Sequence, residues 1–221
     1  MNQRLDSKSK TIEKMLVHVL EEHREPFEHE IYEILSLAGF RVPRSLFVAG
    51  GKDIDSLDLD SLPSDEVVCK LISPALPHRS EYGGIRFERR SKKALEAAFK
   101  EFGRIAEKAR IELSGMMIAE KIEGKDCIPH QLLVSLRQDP TFGPVVFCGL
   151  GGVGTEIYQK SLTREKGLMI RTAADIRDRE GTERSLERTF FYPVIAGQTR
   201  ISQAPLVDTD AIHAALAAFA K

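Results

Sequence analysis

A succession of short apolar runs, each bounded by turn residues and too brief for a globular helix, constrains this chain most. Leu46-Phe47-Val48-Ala49 stops at Gly50-Gly51, and Val67-Val68-Cys69-Lys70-Leu71-Ile72 stops at Ser73-Pro74. Ile85-Arg86-Phe87-Glu88, Met116 to Ile122, His130 to Leu136, Val145 to Cys148 and Thr155 to Tyr158 continue the series. Helical spacing is found between them. Ile12, Met15, Leu16, Val19 and Leu20 predict a helix over 11–24, and Phe27, Ile31, Ile34 and Leu35 a second that ends at Ala38-Gly39. The strongest helix covers 91–112, with Ala94, Leu95, Ala98, Phe99, Phe102, Ile105, Ala106 and Ala109. Others are expected around 181–188 and over 208–220, the last capped by Asp208 or Thr209. Residues 1–10 read as frayed and the stretch beyond Arg164 as polar. Asp53, Asp55, Asp58, Asp60 and Asp65 lack the glycine and terminal glutamate of an EF-hand, so 52–65 read as a solvated turn or short helix. Strands at hairpin distances, mixed with helices, predict an α+β class rather than a doubly wound sheet.

The 221 residues suffice for one large domain or two modest ones. A net charge of -1 gives no electrostatic reason to expect nucleic acid or a membrane surface as partner. Cys69, Cys127 and Cys148 show no metal-ligand spacing and read as buried thiols of a reducing compartment. No run is long enough to span a bilayer and no apolar leader opens the chain, so a cytoplasmic location is expected.

Two segments carry chemistry. In the first, an apolar strand delivers Lys70, a Pro-containing turn presents His78 flanked by Arg79 and Ser80, and Gly83-Gly84 follows. Cationic side chains, glycines that let N–H groups approach a ligand, and an imidazole are parts suited to handling a phosphoryl group. A solvated surface hairpin would use the same residues. In the second, Gly149-Leu150-Gly151-Gly152-Val153-Gly154 formally matches a dinucleotide-binding fingerprint. Thr155-Glu156-Ile157-Tyr158 then alternates like a strand where that motif needs a helix, and no apolar strand is expected before Asp175 or Asp178. A hairpin loop beside a ligand, with Glu156 projecting from its second strand, fits better than an NAD site.

Taken in order, these segments resemble the ATP-grasp domain of ADP-forming acyl-CoA synthetases, in particular the acetyl-CoA synthetase β subunit, a relative of succinyl-CoA synthetase. Gly39-Phe40-Arg41-Val42-Pro43 is similar to the family's entry into its first strand. Lys70 through Gly84 is similar to a stretch of the form K-I-x-S-P-x-x-x-H-K-S-x-x-G-G. Ile118-Ala119-Glu120-Lys121, the turn Asp139 to Pro144, and Gly149-Leu150-Gly151-Gly152 with Glu156 complete the match, which covers about residues 26–165. The resemblance implies an ATP-grasp fold in which two α+β subdomains clamp a nucleotide. It also implies an N-terminal helical extension over 1–25, a lid over 26–115 and a core over 116–221 whose C-terminal edge is incomplete. Lys70, Arg79, Ser80, Gly83, Gly84 and Glu120 would bind ATP or ADP, Glu156 would serve Mg²⁺, and His78 would relay a phosphoryl group. A CoA-binding α subunit or domain would be the partner, since no such domain is legible in these residues.

Two positions depart from the family pattern. Gln131 stands where a glutamate is usual, and Lys160 where an aspartate commonly follows Glu156. They motivate an alternative expectation, a non-catalytic or regulatory nucleotide-binding module.

Overall fold

Two all-antiparallel sheets organise the chain in two units that divide between Glu123 and Gly124. A computed structural model describes residues 2–75, 82–123, 131–151, 164–200 and 203–220. The first unit runs α1 (Asn2–Glu21), α2 (Glu28–Leu37), β1 (Ser45–Val48), β2 (Glu66–Ile72), β3 (Ile85–Arg89), α3 (Lys92–Ala109) and β4 (Gly115–Glu120). Two 3₁₀ turns, Gly51–Ser56 and Leu59–Ser61, fill the expected solvated stretch before β2.

The strand order is β1-β4-β2-β3. β4 and β2 are central and packed on both faces, and their alternate residues enter different cores. Val67, Cys69 and Leu71 of β2 join Met116 and Ile118 of β4 against Leu95, Ala98 and Phe102 of α3. Ile72, Met117 and Ala119 face the other way and pack with Phe27, Tyr32 and Phe47. Spacing of three and four along α3 puts its buried residues on one stripe. Ser91 caps that helix by accepting the Ala94 N–H at 3.4 Å, and Arg110 ends it in the left-handed region at φ 56°. Gly115 opens β4 at φ 153°, where a Cβ would lie 2.4 Å from the Val48 carbonyl oxygen; a larger residue has no room there.

One expectation changes in this unit. Residues 2–10 continue α1 rather than fray, since nothing in Asn2 to Lys10 breaks a helix. β4 bonds to both β1 and β2, so the unit that ends at Glu123 holds this sheet whole. The turn between α1 and α2 is fastened by Arg24. Its guanidinium donates to both Glu30 oxygens at 2.7 and 2.6 Å and lies 4.1 Å over the Phe27 ring. That contact holds the Glu30 carboxyl below its ordinary range, and the carboxylate also accepts the Phe27 N–H at 2.7 Å.

The second unit contains β5 (Leu132–Asp139), β6 (Gly143–Leu150), α4 (Arg164–Gly167), β7 (Leu168–Thr172), α5 (Arg179–Glu187), α6 (Tyr192–Ile195) and α7 (Thr209–Phe219). Its sheet has the order β5-β6-β7. Val146, Cys148, Leu150 and Met169 pack on Leu186, Phe191, Ile195, Ile212 and Leu216. The opposite face keeps Leu133 and Ile170 about half exposed, at 50% and 51%. The turn from β5 to β6 follows its expected chemistry: Asp139 Oδ1 accepts the N–H groups of Thr141 and Phe142 at 2.8 and 2.9 Å. Asp208 caps α7 as expected, accepting the Asp210 N–H at 2.9 Å. β7 is a correction. The sequence reads as polar here, and only Leu168, Met169 and Ile170 are apolar in a five-residue strand, yet it pairs with β6 and leads to Asp175.

Candidate functional site

Lys70 sits on β2 opposite Met117 of β4 and Ile85 of β3. Directly opposed residues share a face of an antiparallel sheet, so Lys70 projects on the α2 side with Met117. Its ammonium donates to Glu28 Oε1 in the first turn of α2 and lies 6.0 Å from the centre of the Tyr32 ring. Both partners of this ion pair are about one-fifth exposed, at 20% and 22%. Toward β3 the face opens: Ile85 is 38% and Phe87 60% exposed. A cation beside an exposed apolar strip is a combination that accepts a phosphate at one end and a planar base at the other.

Gly83 and Gly84 lead into β3. The Leu71 N–H donates to the Gly84 carbonyl at 2.8 Å, which ties the end of β2 to the start of β3 and closes the base of the intervening segment. Gly83 has φ 72°, a conformation that favours glycine. His78, Arg79 and Ser80 belong to that segment and lie outside the described residues.

Glu120 is not brought together with Lys70. It follows Met116 and Ile118 in the alternation of β4 and so belongs to the α3 side. Its carboxylate accepts the Arg44 N–H at 3.0 Å, and its own N–H donates to the Arg44 carbonyl at 2.8 Å. Lys121, the next residue, falls on the Lys70 side. Its ammonium bonds Glu66 at 2.5 Å and lies 5.9 Å from the Phe87 ring centre. Sequence reasoning missed Glu28, Tyr32, Phe87 and Lys121. For Lys121 and Phe87, strict alternation counted from Lys70 and its strand partners was an available signal; for Glu28 there was none.

His29 borders the same face. Its ring stacks on Phe47 with centres 3.9 Å apart, and its Nδ1 is buried without a hydrogen-bond partner among the described residues. Burial favours the neutral ring and lowers its pKa, opposed by Glu30 and Glu33 and assisted by Arg24. The unfolded chain binds a proton here more readily than the native one. The His29 contribution is therefore intact above about pH 6.5 and is lost as pH falls below it, with a limiting slope of about 1.4 kcal/mol per pH unit. Urea titrations at pH 7.5 and 5.5 should show a larger loss of stability for the natural chain than for His29→Phe. Equal losses would count against this account.

In the second unit, Gly149 and Leu150 belong to β6, and the Gly151 N–H donates to the Gln131 carbonyl at 2.9 Å. The departing position Gln131 therefore lies beside the glycine segment. The strand that carries Gly149 and Leu150 pairs antiparallel on both sides, unlike the parallel sheet of a dinucleotide-binding fold. Glu156 and Lys160 lie outside the described residues. Among the described residues no three His, Cys, Asp or Glu side chains gather as a metal site. Cys69 and Cys148 are buried free thiols, pushed up to about 12 and about 11 by burial, and are unreactive. Cys127 is outside the described residues. No described helix is long and apolar enough to cross a membrane.

The family model described as an ATP-grasp domain matches residues 18–221. The chain belongs to the ATP-grasp family. Among curated ATP-grasp relatives, acetate–CoA ligase (ADP-forming) I subunit beta of Pyrococcus furiosus is 28% identical over 178 residues, 80% of this chain and 70% of that protein. The 4-hydroxybutyrate–CoA ligase (ADP-forming) of Nitrosopumilus maritimus is 27% identical over 134 residues, 60% of this chain. The match spans only 18% of that longer protein. An acetyl-coenzyme A synthetase of Ca. Korarchaeum cryptofilum shares the ATP-grasp fold. Its complex with coenzyme A, acetyl-coenzyme A and a phosphorylated phosphohistidine segment gives a TM-score of 0.70 at 23% identity, covering 94% of this chain and 84% of that one. Its complex with coenzyme A and Mg-AMPPCP, in which the phosphohistidine segment points towards the nucleotide binding site, gives 0.64 at 23%, covering 94% and 83%.

Proposed function

We propose that this chain is the nucleotide-binding ATP-grasp component of an ADP-forming acyl-CoA synthetase. The observation that carries the reading is the Leu71–Gly84 hydrogen bond, which joins the described chain on either side of the His78 segment, one residue from Lys70. In the reaction, acyl-CoA, phosphate and ADP give acid, CoA and ATP. A CoA-binding partner subunit or domain delivers the phosphoryl group to His78. The P–N bond of the phosphorylated imidazole then breaks as an oxygen of the ADP β-phosphate forms the new P–O bond, yielding ATP and neutral imidazole. Lys70 neutralises phosphate charge, while Arg79, Ser80 and the Gly83-Gly84 backbone supply further donors. We assign Glu156 to the magnesium carried by the nucleotide, for which a carboxylate oxygen is a suitable donor. Adenine nucleotides and CoA are cytoplasmic metabolites, and we assign the protein to that compartment. A regulatory, non-transferring role is the second reading, favoured by the neutral Gln131 beside Gly151.

Calorimetric titration of the full chain with Mg·ADP tests the proposal. Binding is expected, and Lys70→Ala should weaken it about tenfold, the scale of one charge-assisted hydrogen bond. Absence of adenine-nucleotide binding by the intact chain would overturn both readings.

A further inference from the structure

Lys70 does not wait for a ligand as a bare cation. Its ammonium is held by the Glu28 carboxylate from the first turn of α2, beside the Tyr32 ring. Glu28 is thereby in the position, relative to that ammonium, that a phosphate oxygen would take. We propose that Glu28 sets nucleotide affinity: it is an internal anion that competes with phosphate for Lys70. The proposal rests on the assignment of Lys70 to the phosphates made above.

Three observations support competition over a purely structural pair. The two side chains are each about one-fifth exposed, so the ammonium stays reachable from solvent for an incoming anion. An arriving phosphate meets a neutralised lysine and a nearby carboxylate of its own sign, and both weaken attraction. Glu28 also sits at the N-terminus of α2, where the helix dipole and unpaired N–H groups favour a carboxylate. Glu28 therefore has a stabilising environment to remain in when the lysine leaves. The flexible four-carbon stem of Lys70 lets its ammonium exchange one oxygen partner for another with no backbone movement.

A double-mutant cycle on the full chain, read by Mg·ADP calorimetry, tests this. Glu28→Gln keeps the shape and removes the charge, and should tighten binding roughly threefold, the worth of one partly exposed ion pair. Glu28→Ser, which keeps a small polar residue in the first turn of α2, should give the same gain. In a Lys70→Ala background the Glu28→Gln gain should shrink well below threefold, to the part owed to like-charge repulsion alone. Unchanged or weaker binding in Glu28→Gln, or an equal gain with Lys70 absent, would overturn the proposal and leave the phosphate role of Lys70 standing. If Lys70→Ala itself leaves binding unchanged, the phosphate assignment and this proposal fall together.

Discussion

His78→Ala is expected to abolish acid-labile phosphate incorporation and to lower net ATP formation by at least about a thousandfold, with Mg·ADP affinity unchanged. The size follows from the chemistry. Alanine offers no lone pair to attack phosphorus, so the two-step transfer through a phosphorylated imidazole has no substitute, whereas Lys70 and its face are untouched. The assay combines the chain with its CoA-binding partner, acyl-CoA and radiolabelled phosphate, and compares label retained after mild base and after acid. Label that persists in His78→Ala and is lost in acid would remove His78 from the relay. Stable nucleotide binding with no label even in the natural chain would favour the regulatory reading.

Phe102→Ala carries the largest expected stability effect. The ring is fully buried on α3 against both central strands, within the cluster that includes Val67, Leu71, Met116 and Ile118. Truncation removes its transfer free energy and leaves a cavity that two-sided strands are poorly placed to fill, a loss of about 3–5 kcal/mol. The chain has no tryptophan to report unfolding of one unit, so hydrogen exchange is the suitable probe. Amides of β2 and β4 should lose more than about a hundredfold of protection, since 1.4 kcal/mol is tenfold. Amides of β5 and β6 should change little, because they belong to a separate core. A loss below tenfold in β2 and β4 would show that the site collapses around the smaller residue.

Much of this architecture was legible because it is written locally. The α3 stripe, the alternation of β2 and the Asp139 turn each follow from neighbours within a few residues. What was missed is non-local or weakly patterned. β7 is a short edge strand with three consecutive apolar residues, and pairing with β6 decides its state where propensity does not. Glu28 and Lys70 meet across 42 positions of sequence, and nothing in either segment announces the other. Glu120 was singled out by its motif, but the two-residue period of its strand assigns it to the α3 side and leaves Lys121 on the Lys70 side.

The strand order of the first sheet also bears on how the chain emerges during synthesis. β1 ends at Val48, but its hydrogen-bonding neighbour is β4, with Ser45 opposite Ala119. β1 and β2 therefore have no common neighbour until residue 120 has been made. Until then the nascent chain holds a β2–β3 hairpin and α3, with one long apolar edge of β2 unpaired, the kind of surface on which strands from other chains can add. Closing so large a separation is slow compared with hairpin and helix formation. The surface around Lys70 is thus a late product of synthesis, assembled in a single insertion by the strand that brings Glu120 and Lys121 at its end.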